Sequence, residues 1–304
     1  MTASCVMYAD TRMKGGLFMR KLLILLSLLM LILPGFAEEP ETHTWYAWEY
    51  ILTDEGAVLT TWYYGDVLVD GSTVVEIPAE LDGHPLVGIG YNALNTSEMD
   101  SEIGFTLVVP EGVTFLEEVA FQCCHNADAI HLPASLTEIP EGCFHHVGAE
   151  ITVAEGNPRY VVQDGFLIDA LTGTLLYTAP SATGKALPAV RRLGTSSLDN
   201  WHEWEMAAVI PEGVEEMGAF LFQDTAMTSL VLPSTLRIIE QDAIDGEIAQ
   251  PVEVPASVEM IQRGNFTRAE NAALILLGSP HFETADEYEA RTGYRHWQDD
   301  WADE

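Results

Sequence analysis

The sequence predicts a β-rich α/β fold, a solenoid whose short strands stack into one parallel ladder, joined by short helical or irregular turns and closed by a cap at each end. Three observations carry that prediction. Pro78, Pro110, Pro133, Pro188, Pro211, Pro233 and Pro255 each end a short apolar run, and where the array is regular they recur every 22 or 23 residues. The same residue classes return at fixed offsets on both sides of each proline. A unit this short cannot bury an apolar face alone, so the units must stack and share one core.

Taken in chain order, residues 1–37 stand apart from the array as an N-terminal extension and secretory signal peptide. Met19-Arg20-Lys21 precedes the apolar stretch Leu22 to Leu33, and Gly35-Phe36-Ala37 supplies the small residues a signal peptidase reads. The stretch is 12 residues, well short of the roughly 20 that a spanning helix needs. Met19 is a natural initiator. Residues 38–72 are read as an N-terminal hairpin cap, because Trp45 to Asp70 alternates like two strands around Asp54-Glu55-Gly56. Its aromatics, Trp45, Tyr46, Trp48, Tyr50, Trp62, Tyr63 and Tyr64, suit the cover of a terminal coil.

Residues 73–277 hold the coils. Ahead of the proline, offsets minus 3 and minus 1 are apolar, as in Leu107/Val109, Ile130/Leu132, Leu230/Leu232 and Val252/Val254, which is the alternation of a short strand with one buried face. Proline lacks the ladder donor and fixes its φ, so it stops the pairing and starts the turn. After it, offsets 3, 6, 10 and 11 hold Val113, Leu116, Ala120 and Phe121 in one coil, then Leu136, Ile139, Cys143 and Phe144 in the next. After Pro211 they hold Val214, Met217, Leu221 and Phe222. Ile151 and Val153 repeat the strand with Ala154 in place of proline, which brings the array to eight coils, read as one strand each. An insert at about 157–180 follows, with strand-like runs Tyr160 to Val162 and Leu175 to Thr178, and is expected to be the most individual surface of the chain. Residues 278–304 form a C-terminal cap and an acidic tail.

Proline followed by Val or Leu at offset 3, Ile or Leu at offset 6 and Ala-Phe at offsets 10 and 11, with IPAELDGHPLVGIGYNAL at the front, resembles the BspA-like leucine-rich repeats of bacterial surface proteins. GNPRYVVQDGFLIDALTGTLLY is similar to the hairpin insert that interrupts such arrays, and LILLGSPHFETADEYEARTGY to their closing segment. The resemblance covers roughly residues 45–297. It implies a leucine-rich-repeat solenoid, secreted or held at a bacterial cell surface, that adheres to host or neighbouring-cell components.

The charge points the same way. The chain carries 13 Lys and Arg against 47 Asp and Glu, net −34, and loss of residues 1–37 would leave 9 against 46. Nucleic acid and anionic lipid are poor partners for such a surface. An extracellular protein or a glycan is the expected partner, with a monomeric chain, no membrane insertion after processing and no cofactor. Calcium has no support from a D-x-D-x-D-G loop.

Catalytic patterns are missing from the sequence: it has no G-x-S-x-G, H-E-x-x-H or phosphate-binding glycine loop. A non-enzymatic protein is therefore expected. Three cysteines follow residue 37, and an odd number argues against a disulfide framework. Cys123 and Cys143 read as buried small apolar groups. Cys123, Cys124 and His125 in one coil and His145 and His146 in the next offer an alternative, since zinc accepts such ligands, although C-x-x-C and H-x-x-x-H spacings are lacking.

The contact face follows from strand alternation: offsets minus 3 and minus 1 point inward, so minus 2 points out. That row reads Glu76, Val108, His131, Thr152, Ala186, Val209, Val231 and Glu253. Val108, His131, Thr152, Val209 and Val231 are the expected contacts, together with Trp201 and Trp204 in a loop between coils. A glycan-binding module using exposed aromatics, and a structural spacer with no specific ligand, are the alternatives.

Overall fold

The computed structural model describes residues 41–63, 73–97, 99, 104–201, 206–222, 225–266 and 274–293. The signal-peptide reading, Trp204, Tyr64 and the acidic tail lie outside the described residues.

The ladder is parallel and runs through the pre-proline strands. Val74–Glu76, Phe105–Val108, Ala127–Leu132 and Glu150–Val153 pair in that order, with Val75 opposite Leu107, Leu107 opposite Ile130 and Ile130 opposite Ile151. Beyond the insert, Met206–Val209, Ala226–Val231 and Glu247–Ile248 form a second parallel sheet, and Val252–Val254 with Leu274–Leu276 a third. The inward offsets are buried in most coils: Leu107, Val113, Leu116, Ala120 and Phe121 in one, Leu232, Leu236, Ile239, Ala243 and Ile244 in another, while Val153 and Phe266 are partly buried. Full burial of such a side chain contributes about 1.5–3 kcal/mol, so the stack is held together chiefly by its shared interior.

One strand per coil is a correction, because the coils after Pro110, Pro211, Pro233 and Pro255 carry a second, two-residue strand at offsets 5 and 6, and the shortened coil after Pro188 carries it at Arg192–Leu193. Thr174–Thr178, Arg192–Leu193, Glu216–Met217, Ile238–Ile239, Met260–Ile261 and His281–Phe282 pair in sequence, all in parallel. Two residues are too few to show alternation, so this ladder leaves only a single apolar position in the sequence. Between it and the Ala-Phe pair the chain must turn back, and offset 9 does so through the left-handed region: Val119, Phe220 and Asp242 have φ of 52°, 56° and 52°, and Gly142 has 75°.

The insert is the second correction. It is an antiparallel three-stranded meander, Tyr160–Gln163, Phe166–Asp169 and Thr174–Thr178, and its last strand continues in parallel into the second ladder. Every residue of the two later strands is buried. Leu167, Leu176 and Tyr177 join the core of the first half, while Phe166, Ile168 and Leu175 join that of the second. The runs Phe166-Leu167-Ile168 and Leu175-Leu176-Tyr177 are continuously apolar because both faces are covered. The insert is a wall between two cores, and its main surface is internal.

At the N-terminus Thr42–Trp45, Trp48–Leu52 and Ala57–Trp62 form an antiparallel meander, and the last strand pairs in parallel with His84–Ile89. Trp48 stacks on Trp62, whose ring meets the edge of Phe105, so these aromatics are core. At the other end Ala285–Thr292 is the sole α-helix among the described residues. Thr284 and Glu287 close its capping box and Gly293 ends it at φ 78°. No helix among the described residues is long and apolar enough to cross a membrane.

Candidate binding surface

Strand register brings the minus 2 positions into one row on each sheet. Glu76 lies opposite Val108, Val108 opposite His131 and His131 opposite Thr152. Val209 lies opposite Val231, and Glu253 opposite Ile275. Glu76, His131 and Thr152 are exposed and Val108 is half-buried. His131 Nδ1 and Thr152 Oγ1 are 2.6 Å apart and couple their coils.

The second half is different in chemistry. Val209 is 59% exposed, Val231 52% and Ile275 40%, and the neighbouring outward positions are Ala207 and Ser229. Glu253 is the only charged member of that group. The chain as a whole carries a net charge of −34, so a nearly uncharged outward strip stands apart from the rest of its surface. Ile275 was not among the residues singled out from the sequence. Its strand Leu274–Leu276 is not followed by proline, so the marker that locates the other rows is missing there.

Trp201 ends the 3-10 helix Asp199–Trp201. Of the cap aromatics, Trp48, Tyr50 and Trp62 are buried while Tyr46 is 82% and Tyr63 46% exposed, the Tyr63 hydroxyl donating to Glu49. In the insert only Val161 and Leu171, among large apolar side chains, are exposed.

The five residues of the zinc alternative do not converge as one set. Cys123 is disulfide-bonded, against the expectation drawn from the cysteine count. Cys124 and Cys143 are free thiols in the core, each pushed up to about 12 by burial, which opposes the thiolate a metal needs. His125 is exposed, its ring centroid 6.4 Å from that of His146. The fold instead brings His145 and His146 to Asp199, a residue 53 positions downstream of His146 that no local spacing connects to them.

Between coils the structure reveals a second recurring device. Glu111 accepts from the backbone N–H groups of Ala134 and Ser135, and Ser135 Oγ accepts from Gly112 N–H and donates to Val113 O. Four coils further on, Glu212, Ser234 and Thr235 repeat the arrangement. The recurring Pro-Glu-Gly-Val before Pro-Ala-Ser-Leu or Pro-Ser-Thr-Leu was its visible trace. These carboxylates are held below their ordinary range by backbone donors and are structural staples.

The family model for the BspA type leucine rich repeat region matches in six copies over residues 89–157 and 205–288. The chain belongs to that family. No curated protein sequence matches it. Among solved structures it resembles the pneumococcal vaccine antigen PcpA at 14% identity and TM-score 0.39, covering 83% of this chain and 90% of that one. A leucine rich cell surface protein from Faecalibacterium prausnitzii A2-165 aligns at 16% identity and TM-score 0.37, covering 85% and 99%. A T. pallidum leucine rich repeat protein aligns at 18% and 0.33, covering 80% and 86%. Family membership rests on the repeat match rather than on these loose superpositions.

Proposed function

We propose that this chain is a non-enzymatic recognition protein, secreted or displayed at a bacterial cell surface, that binds an extracellular protein through the outward strand face of its second half. The observation that carries the reading is the nearly uncharged strip of exposed Ala207, Val209, Val231 and Ile275, with Ser229 half-buried among them and Glu253 as its one charge. Solvated acidic residues elsewhere keep the chain soluble and discourage indiscriminate contact, so the strip is where burial of apolar area gains most. The repeat architecture supports the reading, since stacked coils present long continuous faces suited to macromolecules. The signal-peptide pattern of residues 19–37 supports export. The buried insert lies between the two cores and, of its large apolar side chains, presents only Val161 and Leu171 at the surface.

A combined protein and glycan array tests this. Protein hits that disappear with Val231→Lys are expected; hits confined to glycans, and lost with Tyr46→Ala, would replace the reading with glycan binding. An absence of any hit would leave a spacer.

A further inference from the structure

We infer that His145, His146 and Asp199 form a zinc site at the junction between the coil before the insert and the coil after it. The donors are two imidazoles and one carboxylate, and their ligand atoms all lie within 4.8 Å of one another. Zinc bound at about 2.0–2.2 Å needs ligand atoms roughly 3.3 Å apart, so side-chain rotation of about an ångström closes the set. Consecutive residues in extended chain point to opposite sides. Here His146 has φ 54°, and the left-handed turn swings both rings to one side, with centroids 4.0 Å apart.

Asp199 is presented by the opening residue of a 3-10 helix and is held firmly. Its Oδ2 accepts from His146 N–H at 2.9 Å and lies 2.7 Å from His145 Nδ1. The next residue, Asn200, donates through Nδ2 to Val147 O, to the Tyr177 hydroxyl and to Thr178 O, which ties the helix to the preceding coil and to the insert. The His145 and Asp199 side chains are only 3% and 6% exposed, while His146 is half-buried. Two ligands therefore come from a shielded interior and the third faces an edge where water can complete a tetrahedron. Imidazole and carboxylate without thiolate favour zinc over copper(I), and three donors are too few for the six to eight oxygens calcium takes. Bound zinc would cross-link segments 53 residues apart at the junction of the two cores.

The test uses the full chain without a polyhistidine tag, stripped with chelator and titrated with zinc sulfate alone in a calorimeter. One zinc per chain and a rise in Tm are expected, with affinity roughly 10–100-fold weaker or lost in His146→Asn. Asparagine tolerates the left-handed backbone, so this variant keeps the fold. His125→Gln should bind as the unaltered chain does. Cobalt(II) should give d–d bands without a thiolate charge-transfer band. No binding, or binding that His146→Asn leaves unchanged, would overturn the inference, as would a thiolate band.

Discussion

At the scale of the residue, two kinds of position bear more than their share. Gly142 occupies offset 9 at φ 75°, and a Cβ there would meet nothing closer than Thr195 Cγ2 at 3.7 Å. Gly142→Ala therefore isolates backbone strain and is expected to cost about 1–2 kcal/mol in chemical denaturation. Arg192 is the second kind. Its side chain is 13% exposed, and it meets Glu141 at 2.7 Å, Glu216 at 2.9 Å and Glu240 at 2.9 Å, carboxylates of three different coils. Burial opposes its charge, but these carboxylates more than compensate and hold the guanidinium protonated. Arg192→Ala leaves three carboxylates facing one another and should cost about 3–5 kcal/mol, with the unfolding midpoint as readout.

At the scale of the element, the insert decides how the halves meet. Asn157 donates its amide hydrogens to Leu136 O at 2.8 Å and toward Pro133 O and Ala134 O, while its Oδ1 accepts from Arg159 and Tyr160 N–H. Asn157→Ala strands several half-buried backbone groups and should lower stability by about 2–3 kcal/mol; a loss under half of that would remove Asn157 as the anchor. The strand ladder, its buried offsets and the outward row were legible in the sequence, because a short strand repeated beside a fixed proline leaves the same period in every coil. The two-residue ladder was not, since Arg192–Leu193 or Ile238–Ile239 alone shows no alternation. Nor was the insert's interior role. Phe166-Leu167-Ile168 reads as an apolar run of three, and only the second core on its far side explains why both faces are covered. Asp199 stayed hidden beside His145 and His146 because the contact is made by stacking across the insert.

At the scale of the whole molecule, opposite charges hold the acidic chain at a few buried points. Burial works against ionised Glu141, Asp169 and Glu283, yet Arg192, Arg159 and Arg291 respectively outweigh it and keep all three below the ordinary carboxylate range. A folded pKa below the unfolded one stabilises above the unfolded value, about 4 for these groups, and that stability is lost as pH falls through the folded value. Tm should accordingly hold near neutrality and drop steeply below about pH 4; a flat profile to pH 3 would contradict these pairings. The central claim is that the nearly uncharged strand face of the second half is what this repeat protein offers to a partner. Its most direct measurement compares protein-array binding of the unaltered chain with Val231→Lys, a substitution at a side chain 52% exposed that should change stability by no more than about 0.5 kcal/mol. The account predicts that the protein hits disappear while Tm and circular dichroism stay unchanged. Hits retained in full by the folded variant would contradict it.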